Sequence, residues 1–144
     1  MHFFGPNALF RICHKFIFNI ANTCSSTAGG QIETPNYPSN YNNNADITFP
    51  LEVATGYFIK LTFHTFDIEA HSRCGFDYVQ VLDTDGSELA KLCGNSLPTP
   101  LTSSGNKMTV VFHSDYSVTR PGFSASWEVA EASGITFNYL SVTL

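Results

Sequence analysis

The chain has 144 residues, 43% apolar and 14% aromatic, which is enough to bury one sizeable core and not two. Its 7 Lys+Arg against 12 Asp+Glu give a net charge of -5 with no basic run, which excludes a phosphate-backbone partner such as nucleic acid. A charged fraction of 13% suits an extracellular β-domain better than a helical cytosolic protein.

In chain order, residues 1–23 form an N-terminal extension. Arg11, His14 and Lys15 interrupt the apolar stretch that a signal peptide needs, and residues 16–21 are too short to replace it. No run reaches the roughly 20 apolar residues of a membrane span, so no transmembrane segment is expected. The chain therefore reads as a piece of a longer polypeptide or as one with an imperfect start. Cys13, Cys24, Cys74 and Cys93 lack the CxxC spacing of a zinc site, so a structural disulfide and an oxidising compartment are expected. Cys13 and Cys24 have three open fates: a local bond, free thiols, or a bond to another chain.

From about residue 29 a period of two takes over. Ile59, Leu61 and Phe63 alternate with Lys60, Thr62 and His64, the pattern of a strand with one face in a core. Met108, Val110 and Phe112 repeat it, as do Phe123, Ala125 and Trp127. Tyr78, Gln80 and Leu82 alternate with Val79 and Val81 in a more apolar run, expected to be buried on both faces. Thr84-Asp85-Gly86-Ser87 reads as a turn, and residues 88–93 as the returning strand. Pro35, Pro38, Pro50, Pro98, Pro100 and Pro121 are expected between strands, where a missing amide donor does no harm. The whole predicts an all-β sandwich from about residue 29, followed by an apolar tail at 132–144 that either adds an edge strand or stays unstructured.

Catalytic chemistry has no support in the sequence. GxSxG, HExxH and a Gly-rich phosphate loop are missing, and His2, His14, His64, His71 and His113 show neither catalytic nor metal spacing. His113, Ser114 and Asp115 do not form a triad, because neighbouring strand residues point to opposite faces. The chain is expected not to be an enzyme.

Three acids stand in short signatures: Phe66-Asp67-Ile68-Glu69, Cys74-Gly75-Phe76-Asp77-Tyr78 and Phe112-His113-Ser114-Asp115-Tyr116-Ser117. Around them lie Gly29-Gly30-Gln31-Ile32, Thr34-Pro35-Asn36-Tyr37-Pro38, Tyr41, Gly56-Tyr57, Cys93-Gly94, Ser103-Ser104-Gly105-Asn106 and Gly122-Phe123. In this order the segments resemble the CUB domain over residues 24–131, most closely its calcium-binding type. The resemblance implies a jelly-roll-like sandwich of two antiparallel sheets in a secreted, extracellular protein.

It further implies a bond between Cys74 and Cys93, with Cys24 matching the first cysteine of a second pair. That cysteine's usual partner is replaced by Ile47, which leaves Cys24 available to Cys13, and Phe49 stands where a Trp is frequent. The calcium ligands implied are Glu69, Asp77 and Asp115, with Ser117 and the residue after it as backbone ligands and Tyr41 organising the site. Such a donor set suits calcium, a hard ion taking about six to eight oxygens. In the family such acids also receive a lysine or arginine of a partner protein, which here gives Tyr41, Glu69, Asp77 and Asp115 as the partner-binding residues.

The function expected is calcium-dependent protein-protein interaction, with self-association or other modules of a larger chain as further partners. Three other roles are compatible with the family. One is a spacer that uses calcium only for rigidity, and another is a non-catalytic module of a secreted protease. The last is a solitary sperm-coat or matrix protein that binds carbohydrate or matrix.

Overall fold

The computed structural model describes residues 29–131. The expectations for the extension at 1–23, for Cys13 and Cys24 and for the tail at 132–144 lie outside the described residues.

Eight strands follow one another: β1 (Gly29–Glu33), β2 (Asp46–Glu52), β3 (Phe58–Asp67), β4 (Tyr78–Leu82), β5 (Glu88–Leu92), β6 (Leu101–Thr102), β7 (Lys107–His113) and β8 (Gly122–Ala130). They pair antiparallel into two four-stranded sheets, in the orders β1-β8-β3-β6 and β2-β7-β4-β5. The period-two pattern decides which face turns inward. Ile59, Leu61, Phe63, Phe123 and Ala125 of one sheet meet Val79, Val81, Met108, Val110 and Phe112 of the other, and all are buried. Phe123 sits edge-on to Phe63 at 5.6 Å and to Phe112 at 6.5 Å, so aromatic contacts join the two sheets. Ile47 and Phe49 pack against this core, consistent with apolar filling where the family often has cysteine and tryptophan.

Two expectations are corrected. β4 is buried on one face only: Val79 and Val81 are enclosed, while Tyr78 points outward, stacked on His113 at 4.9 Å and covered by the Lys91 ammonium at 4.1 Å. Its outer face is shielded by a cation-π contact rather than by a second layer. Pro50 lies inside a strand, not between strands. β2 is an edge strand of its sheet, so the missing N–H costs no ladder bond on the open side. The predicted turn is present: Gly86 takes φ +84° and donates to the Asp83 carbonyl at 2.9 Å, while Asp85 caps Ser87.

Register gathers several loops at one end of the sandwich. Asp46, His113 and Tyr78 stand in one row across β2, β7 and β4. The loop before Asp46, the loop after His113 and the residue before Tyr78 therefore leave the sheet at the same edge. On the opposite sheet Asp67 ends β3 beside Gly122, which delivers Ile68 and Glu69 to that end. Gly122 must be glycine, because its φ is +89° and a Cβ there would overlap the Thr34 hydroxyl. That buried hydroxyl receives the Phe123 N–H at 3.2 Å.

The bridge between Cys74 and Cys93 is formed, with Cα atoms 5.5 Å apart. Closing this loop removes denatured-state entropy worth about 3 kcal/mol on the chain-closure model. Next to it Ile68 and Gly94 exchange backbone bonds of 2.9 and 3.0 Å, so both flanks of the segment after β3 are tied down.

Candidate metal centre

Glu69, Asp77 and Asp115 come from three separate loops, and one carboxylate oxygen of each lies within 4.8 Å of the others. Asp77 is fully buried and uses both oxygens. The Tyr41 hydroxyl donates to Oδ2 at 2.6 Å, and the Asp115 N–H donates to Oδ1 at 2.7 Å. The same Tyr41 oxygen accepts the Glu69 N–H at 3.2 Å, so one phenol links two of the three acid-bearing loops. Asp115 Oδ1 accepts the Ser117 N–H at 3.0 Å, which folds the residues after Asp115 back over its carboxylate.

A second set of bonds stitches residues 42–45 to the end of β7. Asn44 N–H donates to the Asp115 carbonyl at 2.7 Å, Ala45 N–H to Ser114 Oγ at 2.9 Å, and Ser114 Oγ to the Asn42 carbonyl at 2.6 Å. Asn44 takes φ +55°, a conformation asparagine tolerates better than most residues. An asparagine run at 42–44 is the sequence signal for this clamp, and reading it only as part of a family match misses the role.

Electrostatically the cluster is uncompensated. Burial pushes the Glu69 carboxyl above its ordinary value, and the charges of Asp77 and Asp115 push it further, with the Arg120 charge only partly opposing them. Burial together with the bond to Asp77 also holds the Tyr41 phenol protonated. Glu69 Oε2 is buried without any hydrogen-bond partner. A buried acceptor with no donor, beside two more carboxylates, is a set of oxygen donors that suits a hard cation.

The structure brings the carboxylates of Glu69, Asp77 and Asp115 together, with the Tyr41 hydroxyl bonded to Asp77 and the Ser117 N–H to Asp115. Within this cluster, however, Tyr41 is 2% exposed and Asp77 0%, so neither offers surface to a partner. Glu69 and Asp115 are half-buried. Exposed Phe76, Tyr116 and Val118 are neighbours in sequence of Asp77, Asp115 and Ser117 and flank the acids. Asp67 ends β3 and is not among the clustered acids.

Fold and site together define a small all-β module whose only gathered chemistry, among the described residues, is a divided acidic cluster at one end. The CUB domain family model matches residues 22–127, and the chain belongs to that family. Human Tolloid-like protein 1 is 42% identical over 100 residues, covering 67% of this chain and 10% of that protein. The full extracellular region of zebrafish Gpr126/Adgrg6 matches with a TM-score of 0.68 at 31% identity, covering 72% of this chain and 14% of that one. The MASP-1 CUB2 domain bound to Ca2+ matches with a TM-score of 0.64 at 26% identity, covering 72% of this chain and 92% of that one. The chain thus spans about a tenth of the length of its Tolloid-like relative and nearly the whole of a single CUB domain. CUB domains are non-catalytic interaction modules of extracellular modular proteins, and this chain is one such module rather than an enzyme.

Proposed function

We propose that this chain is an extracellular, calcium-dependent protein-interaction module. Glu69, Asp77 and Asp115 would hold the ion, and the backbone carbonyls of Ser117 and the residue after it would be candidates for further ligation. The observation that carries this reading is the buried Glu69 Oε2 without a partner, set among three converging carboxylates. Similarity to a CUB domain bound to Ca2+ supports the choice of cation. When bound, the ion supplies positive charge that relieves the mutual repulsion of the acids.

The rest is done by this chain's own residues. Tyr41 holds Asp77 from beneath, and the Asn44 and Ser114 bonds hold the loop carrying Asp115. Glu69 and Asp115, fixed in this way, accept a lysine or arginine side chain of a partner protein in a charge-assisted contact with little ordering cost. A single contact of this kind is weak, so useful affinity comes from several modules or a dimer.

The test is retention of the oxidised chain on immobilised polylysine, with calcium and with chelator. Non-specific attraction of an acidic protein to a polycation weakens when bound calcium reduces its negative charge. A built basic-side-chain site responds in the opposite sense. Retention that rises with calcium and is lost in Asp115→Ala supports the proposal, whereas retention that falls with calcium overturns it.

A further inference from the structure

We infer that His71 is the positioning residue for the loop that joins two of the acids, Glu69 and Asp77. The inference rests on the proposed calcium reading of this site and adds a residue to it. His71 Nδ1 accepts the Arg73 N–H at 3.3 Å and the Gly75 N–H at 3.1 Å. Backbone amides only donate, so Nδ1 carries the lone pair and the neutral ring keeps its proton on Nε2. The His71 carbonyl also accepts the Cys74 N–H at 3.1 Å.

One residue thus receives three consecutive backbone N–H groups, those of residues 73, 74 and 75. It does for this loop what an asparagine or aspartate does in an Asx turn, and its ring nitrogen also reaches two residues further along the chain, to Gly75. The ring then packs on Phe76, centroid to centroid 4.2 Å, immediately before Asp77. The fit is close on the other side too: a Cβ at Gly75 would lie 3.1 Å from Nδ1 and 3.2 Å from Cε1, so the ring fills the space that glycine leaves.

The disulfide alone does not fix the loop. It anchors Cys74, whose φ of +46° lies in the left-handed region, where a non-glycine residue is strained. Holding that conformation requires bonds on either side, and the His71 acceptor supplies them at residues 73 and 75. Asp77 itself is locked by Tyr41 and Asp115, and Glu69 by its N–H to Tyr41. His71 lies between them and sets the path that lets both carboxylates arrive together. Partners that orient ligands without touching the ion are commonly worth about 10- to 100-fold in metal affinity.

The test separates the acceptor from the ring. In the full oxidised chain at neutral pH or slightly above, His71→Phe keeps the ring against Phe76 and removes the acceptor. His71→Asn keeps an acceptor in the Nδ1 position and removes the ring. Calcium affinity is measured calorimetrically for both, and melts in chelator report whether each variant is folded. Weakening of about tenfold or more in His71→Phe, with His71→Asn within about threefold of the parent, is the result expected. Equal weakening in both variants, or calcium binding by folded His71→Phe equal to the parent's, overturns the positioning role while leaving the calcium site intact. A parent chain that binds no calcium overturns the site reading, and the positioning role with it.

Discussion

The Tyr41 hydroxyl donates to Asp77 Oδ2 at 2.6 Å while receiving the Glu69 N–H at 3.2 Å, so one buried oxygen sets the distance between two acid-bearing loops. The ring beneath it packs edge-on against Phe112 at 4.9 Å, which ties the site directly to the inter-sheet core. Tyr41→Phe preserves that packing but leaves a fully buried carboxylate oxygen and a backbone amide without partners. Stability is expected to fall by about 1–3 kcal/mol and calcium affinity to fall with it. Denaturant melts and calcium titrations of the variant measure both. An unchanged variant would mean that the hydroxyl bonds are replaced by water.

The disulfide makes a separate prediction. Replacing Cys74 and Cys93 together by serine is expected to cost about 3 kcal/mol, the closure entropy of their loop. Calcium affinity should also weaken, because Ile68 and Gly94 then hold the loop at one flank only. A fully reversible melt of the double variant at the parent's midpoint would contradict this.

Glu69 gives the pH dependence of the metal-free protein. Burial and the neighbouring Asp77 and Asp115 raise its carboxyl above the ordinary 4.5, so folding favours the protonated acid. Its stabilising contribution is therefore complete below 4.5 and is lost as the pH rises through the raised value. In chelator the melting temperature should fall across that window, and Glu69→Gln should flatten the fall. Calcium should reverse the trend, since its ligands must be ionised. Asp83 works in the other sense. Burial raises its carboxyl, but bonds from Ser104 and Thr84 outweigh this and lower it below 3.8, so its contribution is lost only in stronger acid. The two windows lie on opposite sides of the ordinary carboxylate range and are separable in one titration.

Val118 is a β-branched residue at φ +55°, 48% exposed, in the loop carrying Asp115 and Ser117. Such a residue carries strain of about 1–3 kcal/mol that asparagine relieves in part. Val118→Asn should raise stability by about 1 kcal/mol, or roughly 4–8 °C in melting temperature for a domain of this size. A scanning calorimetry trace with no shift would show that the left-handed turn is relaxed.

The core was legible in the sequence because a half-buried strand must alternate: Ile59, Leu61 and Phe63, or Met108, Val110 and Phe112, name their own inner face. The acids were legible through the company they keep, since Glu69, Asp77 and Asp115 each stand in a signature longer than one residue. What each side chain faces was not. Tyr41 and Asp77 were expected to meet a partner, yet both lie beneath the surface, because burial depends on the convergence of loops distant in sequence. His71 left no usable signal, and the asparagine run at 42–44 only a weak one, for a related reason. Each acts by bonding backbone groups, which every residue possesses, so only the folded path reveals the bond. Pro50 misled because an edge strand tolerates what an inner strand forbids, and strand order is a tertiary fact.

Calorimetric titration of the oxidised chain with calcium, beside Asp115→Ala, decides whether Glu69, Asp77 and Asp115 form a calcium site. One saturable site in the parent, a melting temperature raised by calcium, and loss of both in the variant are the results predicted. Absence of binding heat and of any thermal shift up to about 10 mM calcium, well above the range of extracellular modules, would contradict it.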